Sequence, residues 1–313
     1  MSDTARTQLE HDLESIKGWF NPSDRRLFSW LLKRQLDRGE TGNLVEVGCY
    51  LGKSTVLIGA YLAEGETFTV LDLFGADAPD ASNNAETSGS YATLTQDAFE
   101  ANYLRFHDEL PVVIKAPSFE IVDHVPSGSA RFVHIDASHL YEHVAGDVDS
   151  ARKLLQPDGI VVFDDFRAEH TPGVAAAVWE GVLTKGLRPI CVTESKLYGT
   201  WGDPAEVQAE MVKWTEGEPG AWAVSQEIAG HTVLRVKAPL VTPPKPAAAP
   251  AAPAPAAKAT PAPAPAPTGP AAPKSAKPTA TPAKPRTGLR RVAKDWLPPV
   301  VHRNISKQLR KRR

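Results

Sequence analysis

Cysteine, methionine and long apolar runs are scarce in this sequence. Its 313 residues include two cysteines, Cys49 and Cys191, too few for the disulfide framework that holds small secreted domains together. Both lie in apolar strand or turn contexts, and we expect them to be buried, reduced thiols. No signal peptide and no apolar run of about 18 residues is present, so we expect no membrane span and a cytosolic location.

The last quarter of the chain nearly lacks acidic residues. Residues 241–313 hold 15 of the 35 Lys and Arg residues but one of the 37 Asp and Glu residues. The tail therefore carries a net charge near +14 and the remainder near −16, although the whole chain sums to −2. Residues 241–287 are almost wholly Pro, Ala, Lys and Thr, which cannot bury enough apolar surface to offset their ordering entropy. They predict a disordered linker.

A basic amphipathic segment follows at residues 288–313. Its nine basic residues accompany apolar side chains spaced close to i, i+4, namely Trp296, Leu297, Val301, Ile305 and Leu309. This pattern is typical of a helix that lies on an anionic membrane surface. We expect that surface to be the inner surface of the cell membrane. An acidic protein, including the body of this chain, is the alternative partner. Nucleic acid is disfavoured because no aromatic-interleaved platform is present.

Residues 1–240 predict one α/β domain. Two helices at residues 1–42 precede an alternation of short β-branched runs with helical patterns, which is typical of a doubly wound sheet with a parallel core. The predicted strands lie at residues 44–47, 67–71, 111–115, 131–135, 160–163 and 189–192. Two further runs, 197–201 and 232–236, have strand character, and the sequence does not decide which of them closes the sheet.

The stretch from Asn43 to Thr55 joins the first predicted strand to a helix through a glycine turn. Such a turn presents backbone N–H groups to a ligand at the carboxyl ends of the strands. The dinucleotide fingerprint G-x-G-x-x-G is absent. A P-loop places four residues between its first glycine and G-K-[ST], whereas Gly48 and Gly52-Lys53-Ser54 are separated by three. The third interpretation is E-x-G-x-x-x-G, which begins at Glu46.

This third pattern resembles the first motif of class I S-adenosylmethionine-dependent methyltransferases. An acid at the end of the second predicted strand, Asp72, suits the ribose hydroxyls of an adenosine ligand. Ser118 follows the third predicted strand, where these enzymes contact the adenine ring. The resemblance implies a Rossmann-like fold that binds S-adenosylmethionine through Glu46, Gly48, Gly52, Ser54, Asp72, Ser118 and Asp136.

Three carboxylates follow two neighbouring predicted strands. Asp136 comes after residues 131–135, and Asp164 and Asp165 come after residues 160–163. An oxygen-rich trio suits Mg²⁺ or Mn²⁺, and burying three like charges without a cation would be costly. The pattern resembles the metal-dependent O-methyltransferases, both catechol-type enzymes and those acting on antibiotic sugars. That resemblance implies a divalent cation on these three residues.

The same resemblance implies that His139, three residues after Asp136, is the general base, as in the macrolide-sugar branch. Ser138 stands where a related branch has a second aspartate. We therefore expect an O-methyltransferase that uses a divalent cation to methylate a hydroxyl of a sugar or another small metabolite. The alternatives are a P-loop-like nucleotide hydrolase and a methyltransferase-like module that binds but does not catalyse. The acceptor pocket is predicted to lie in the 74–106 segment.

Overall fold

The computed structural model of the protein describes residues 3–78 and 94–241. The predicted linker, beyond its first residue, and the basic tail lie outside the described residues. Residues 79–93, which belong to the segment predicted to form the walls of the acceptor pocket, also lie outside the described residues. Their predicted roles stay predictions.

The described chain alternates helices and strands. The helices are α1 (Asp3–Asp12), α2 (Pro22–Asp37), α3 (Lys53–Gly59), α4 (Gln96–Tyr103), α5 (Ile121–His124), α6 (Tyr141–Leu154), α7 (Pro172–Thr184) and α8 (Ala205–Gly217). Short 3₁₀ turns lie at Leu13–Ser15 and Ser118–Glu120. The strands are β1 (Asn43–Val47), β2 (Phe68–Asp72), β3 (Val112–Lys115), β4 (Ala130–Ile135), β5 (Leu155–Phe163), β6 (Arg188–Val192), β7 (Leu197–Thr200), β8 (Trp222–Ile228) and β9 (His231–Lys237).

All nine of these strands form one sheet, in the order β3-β2-β1-β4-β5-β7-β6-β9-β8. The first five positions are parallel, and β7 lies antiparallel between β5 and β6. The predicted doubly wound Rossmann-like fold is confirmed. Both undecided runs belong to the sheet, since 197–200 forms β7 and 231–237 forms β9. The edge strand beyond them, β8, pairs antiparallel with β9.

Apolar layers cover both faces of the parallel core. Strands β1 and β4 are buried almost throughout, which explains why they read as continuous apolar runs rather than alternating ones. One layer packs α1, α2, α3, α4 and α8 on the sheet, and the other packs α5, α6 and α7 on the opposite face. Burial on both faces leaves the ends of the strands as the place where polar side chains can gather.

Helix starts follow local chemistry closely. The Asn21 side chain accepts a hydrogen bond from the Ser23 N–H at 2.9 Å and Pro22 occupies the first turn of α2, a favourable pair of start signals. Helix α7 also has a proline, Pro172, in its first turn, although the Thr171 side chain makes no capping hydrogen bond.

Strand β5 begins earlier than predicted. The sequence places Pro157 and Gly159 in a helix-ending turn before a strand at 160–163, but the strand already starts at Leu155. The β4–β5 pairing shifts register between Ala130 and Phe132. Proline and glycine are tolerated at such an irregularity because no ladder hydrogen bond is required of them there.

Among the described residues, no helix combines the length and the apolar character needed to cross a bilayer.

A buried arginine ties the amino-terminal end of β4 to its neighbours. Arg131 makes two hydrogen bonds of 2.8 Å to the Glu66 carboxylate and one of 2.9 Å to Gln35 Oε1, and it also donates to the Tyr61 carbonyl at 2.8 Å. Both charged side chains are nearly inaccessible. Removing either partner would therefore leave the other charge buried in an apolar layer without an oppositely charged partner.

We expect Arg131→Met to lower the free energy of unfolding by about 3–5 kcal/mol, because Glu66 would remain buried and unpaired. The control is Arg188→Met, whose partner Asp203 lies 3.8 Å away in an exposed pair and which should cost less than about 1 kcal/mol. Urea denaturation of the three proteins measures both values. Equal losses for the two variants would contradict the role given to Arg131.

Candidate functional site

A cavity of about 300 Å³ opens at the carboxyl ends of β1, β2 and β4. This volume lies at the lower end of the range for small-molecule sites. The amino-terminal segment, the turn after β3 and the start of α6 complete its walls. Six of the predicted site residues line it, namely Gly48, Ser54, Asp72, Ser118, Asp136 and His139.

The turn after β1 lies against the turn after β4. A Cβ atom on Gly48 would come 2.0 Å from the backbone oxygen of Asp136, and Gly48 has φ of 80°. Only glycine fits this close approach in this conformation. Gly52, also left-handed at φ 88°, is the N-cap residue of α3 and lies against the ring of Phe99 rather than lining the cavity.

Asp72 organises the same turn. Its Oδ2 accepts hydrogen bonds from the Cys49 N–H at 2.8 Å and the Tyr50 N–H at 3.1 Å, and its Oδ1 accepts one from the Phe74 N–H at 2.7 Å. Burial raises the pKa of Asp72, although these three N–H groups oppose the shift. The carboxylate thus fixes the turns after β1 and β2 while remaining on the cavity wall, where the sequence predicts a ribose contact.

Glu46 is placed differently from the cavity-lining residues. Its side chain is fully buried, accepts a hydrogen bond from Thr55 in α3, and lies 2.8 Å from His134 Nδ1. It is not part of the cavity wall. Within this structure Glu46 links β1, β4 and α3 beneath the glycine turn, and its predicted contact with the cofactor remains a prediction.

The three predicted metal-binding carboxylates fall into two groups of potential ligands that share Asp136, and among the described residues no such group contains all three. Donor atoms of His134, Asp136 and Asp164 lie within 4.8 Å of one another, and Asp165 Oδ2 lies 3.1 Å from His139 Nε2. Donor atoms of Asp136, His139 and Asp165 all lie within 4.8 Å of one another. The carboxyl ends of β4 and β5 therefore bring together the predicted base and all three acids.

Lys196 is the site residue that the sequence analysis missed. It lies in the turn before β7, is buried, and forms an ion pair with Asp164. Its ammonium group also lies 3.3 Å from His134 Nε2 and over the rings of Phe20 and Phe28, at 5.6 and 5.9 Å. In the sequence, the indication that a cationic side chain lies here was the excess negative charge of three acids at one edge of the sheet. We interpreted that excess as a metal site.

The charges in this cluster are strongly interdependent. Burial and the neighbouring carboxylate of Asp164 raise the pKa of Asp136 well above its usual range. Burial alone would raise the pKa of Asp164, but Lys196 and His134 outweigh it and the pKa is lowered. Burial opposes the charged form of Lys196, yet Asp164, Asp136 and Asp24 together raise its pKa. The ammonium group of Lys196 therefore favours the ionised form of Asp164, whereas burial and the neighbouring carboxylates favour the protonated form of Asp136.

Backbone strain is concentrated around the cavity. Among the described residues, four that are not glycine have positive φ, and three of them follow β1, β2 and β5: Tyr50, Phe74 and Asp165. Such conformations cost free energy and persist at functional sites where the surroundings enforce them.

An exposed aromatic surface stands at the entrance. Trp19 is 73% exposed, lines the cavity, and stacks on Tyr50 with 5.6 Å between ring centroids. Of the two aromatic residues just before α2, Trp19 faces the cavity, whereas Phe20 is buried against Phe28. A large exposed ring at a cavity entrance is suited to stacking on a planar or cyclic ligand.

Residues 45–166 match a family model described as a methyltransferase domain. The match spans the glycine turn, Asp72, Ser118, Asp136, His139 and the Asp164-Asp165 pair. Within residues 45–166 this chain is therefore similar to methyltransferase domains. A search of curated proteins found no significant match.

Solved methyltransferase structures share parts of the architecture. The O-methyltransferase NovP is 17% identical, over 57% of this chain and 79% of that one, with a TM-score of 0.47. CalS11, a TDP-rhamnose 3′-O-methyltransferase of calicheamicin biosynthesis, is 18% identical over 64% and 95%, with a TM-score of 0.41. The Podospora anserina methyltransferase PaMTH1, bound to S-adenosylhomocysteine, is 13% identical over 65% and 89%, with a TM-score of 0.43.

The close approach at Gly48 gives a direct test of the packing of the turn after β1. We expect Gly48→Ala to unfold the protein or to lower its unfolding free energy by more than about 3 kcal/mol, because the added methyl meets the Asp136 backbone. Gly65→Ala is the matched control, since Gly65 has a similar φ of 83° with nothing within 4 Å of its added Cβ. It should cost about 1–2 kcal/mol. Comparable melting temperatures for the two variants would contradict the packing described.

Asp147 in α6 gives a pH-dependent prediction. Burial raises the pKa of Asp147 to about 6, against an opposing hydrogen bond with Ser118 and the charge of His143. Unfolded aspartate has a pKa of about 3.9. The folded state therefore binds the proton more tightly, and this residue makes the protein progressively less stable as pH rises from about 4 to 6.

Asp147→Asn should remove that cost. We expect an increase of up to about 3 kcal/mol in unfolding free energy at pH 8 and little change near pH 4. Asp149→Asn, an exposed acid of the same helix, is the control and should show no gain at pH 8. Thermal unfolding at the two pH values measures the difference. A gain for Asp147→Asn that is the same at both pH values would count against the raised pKa.

Proposed function

We propose that this protein transfers the methyl group of S-adenosylmethionine to a hydroxyl group of a sugar or another small metabolite. The observation that carries the proposal is that His139, paired with Asp165, lines the same cavity as the glycine turn and Asp72. A cofactor-binding turn and an oriented base on one cavity wall are the two parts that O-methylation requires.

The cofactor would occupy the part of the cavity beside β1 and β2. Asp72 would accept hydrogen bonds from the ribose hydroxyls, and Ser118, on the far wall, suits the edge of the adenine ring. The glycine turn lets the methionine portion approach the backbone, with Ser54 and Asp136 beside it. The reactive sulfonium would then face β4, where His139 lies.

His139 would accept the acceptor's proton. Asp165 Oδ2 lies 3.1 Å from His139 Nε2, which favours the tautomer that carries the proton on Nε2 and leaves Nδ1 as the basic nitrogen. The hydroxyl oxygen attacks the methyl carbon in line with the carbon–sulfur bond. That bond breaks, sulfur keeps the electron pair as S-adenosylhomocysteine, and the hydroxyl proton moves to the imidazole.

The residues present partly fit the predicted divalent cation. Asp136 and Asp165 offer oxygen atoms close together at the cavity edge, the donor type that Mg²⁺ and Mn²⁺ prefer. Asp164, predicted as the third ligand, is engaged by Lys196. A cation bound there would lower the pKa of an acceptor hydroxyl. Asp136 and Asp165 are the residues that would hold it.

The P-loop alternative is disfavoured by the position of Lys53. Its ammonium group donates to the Gly18 carbonyl at 3.1 Å and lies 3.4 Å from Glu14, so it ties the amino-terminal segment to the glycine turn. A P-loop lysine instead directs its charge at the phosphates of the nucleotide.

The cofactor assignment is tested by calorimetric titration of the full chain. We expect S-adenosylhomocysteine to bind with micromolar affinity and Asp72→Asn to weaken binding at least about tenfold, since a charge-assisted hydrogen bond would be lost. ATP is the matched control because it shares the adenosine portion. Binding of ATP without binding of S-adenosylhomocysteine would overturn the proposal in favour of nucleotide hydrolysis.

The catalytic role of His139 is tested with a panel of hydroxylated sugars and catechols, following formation of S-adenosylhomocysteine. For any accepted substrate, His139→Ala should lower kcat by about 10²–10⁴-fold while leaving cofactor affinity unchanged. His124→Ala, on the exposed end of α5, is the control. If His139→Ala has the same turnover as the control, His139 is not the base. If no panel member is methylated although cofactor binds, the non-catalytic module becomes the better hypothesis.

A further inference from the structure

We propose that the ammonium group of Lys196 competes with a divalent cation for the Asp164 carboxylate, so that the site binds such a cation weakly and reversibly. The inference rests on the proposed function, because it concerns the acidic edge of the same cavity. It departs from the expectation that Asp136, Asp164 and Asp165 bind the ion together. The ammonium group of Lys196 takes the place of the ion at Asp164, the third of these carboxylates.

The position of Lys196 is fixed from several sides. Its ammonium group pairs with Asp164, lies 3.3 Å from His134 Nε2, and rests over the rings of Phe20 and Phe28. Aromatic faces attract a desolvated cation. The side chain is 1% exposed, so its ammonium group is shielded from solvent by the groups around it.

A buried network of polar contacts fixes the positions of Lys196 and its neighbours. Glu46 contacts Thr55 and His134, and His134 faces Lys196. Asp24 in α2 adds a further negative charge near Lys196 and is itself fixed by the Tyr198 hydroxyl at 2.7 Å and the Ser195 hydroxyl at 3.1 Å. Moving Lys196 away from Asp164 would therefore disturb contacts on β1, β4, β7 and α2 at once.

Competition follows from charge and geometry. An ion held by Asp136 and Asp165 would share Asp164 with an ammonium group already in contact with it, and the two cations would repel each other across a poorly solvated edge. Removing the ammonium group would release the third carboxylate and abolish the repulsion. Both changes increase affinity for a divalent ion.

The experiment titrates Mn²⁺ alone into the full chain without cofactor, following free Mn²⁺ by electron paramagnetic resonance. We expect Lys196→Met to bind Mn²⁺ at least about tenfold more tightly than the unaltered protein, and Lys196→Arg, which keeps the charge, to stay within about threefold of it. The double variant Lys196→Met with Asp164→Asn should lose the gain, because the released carboxylate is gone. Lys185→Met, which releases the exposed Asp149, controls for the mere loss of a positive charge.

An affinity of Lys196→Met equal to or weaker than that of the unaltered protein would overturn the proposal, as would a gain that survives in the double variant. If Lys196→Met is too unstable for the titration without Mn²⁺, thermal unfolding of this variant and of the unaltered protein is measured with and without Mn²⁺. The proposal then requires Mn²⁺ to raise its melting temperature more than that of the unaltered protein, and equal shifts contradict it. Because Mn²⁺ binding is measured without methyl transfer, failure here is distinct from failure of the proposed activity.

Discussion

The contact between the turn after β1 and the turn after β4 is the constraint on which the site depends. With no side chain at Gly48, the backbones of the two turns can touch, which places Asp136 beside the cofactor turn. Asp72 then locks the β1 turn from the other side by accepting its backbone N–H groups. A cavity forms between three strand ends because parallel strands deliver their carboxyl ends to one edge.

The electrostatics of the site follow from this crowding. Acidic side chains that leave neighbouring strands at the same level must share protons, find a cation, or both. Here a carboxylate oxygen of Asp136 lies within 4.8 Å of one of Asp164, and Lys196 supplies a positive charge from the β6–β7 turn. Asp165 is turned toward His139 instead, so one carboxylate of the adjacent pair stabilises the buried network and the other orients the candidate base.

The sequence predicted the fold where one residue pattern had one physical explanation. Apolar β-branched runs of four to six residues between helical patterns indicate buried parallel strands, and β1, β2, β4 and β6 lie where these runs lie. The gathering of Asp136, His139, Asp164 and Asp165 was also predictable, since each follows a strand end on one edge. The bulge that admits Pro157 and Gly159 into β5 was not, because it depends on pairing with β4.

Lys196 could not be assigned from its own sequence context. Its partners come from the turn after β5, from β4, and from α2 and the segment before it. Nothing near Lys196 in the chain indicates that they meet there. Glu46 illustrates a partial success. Its place before the glycine turn was predicted, but its side chain faces His134, which is its register partner on β4. Contacts between distant segments decide side-chain direction, and they are fixed only when the whole sheet is assembled.

The most direct test of the central claim is a crystal structure of the protein with S-adenosylhomocysteine, in which the distance from the ligand sulfur to the nearer ring nitrogen of His139 is measured. We expect the ribose to lie beside Asp72 and the sulfur-to-nitrogen distance to be within about 8 Å, which leaves room for one acceptor oxygen between the methyl position and the imidazole. A ligand bound outside the cavity, or one whose sulfur points away from His139, would contradict it.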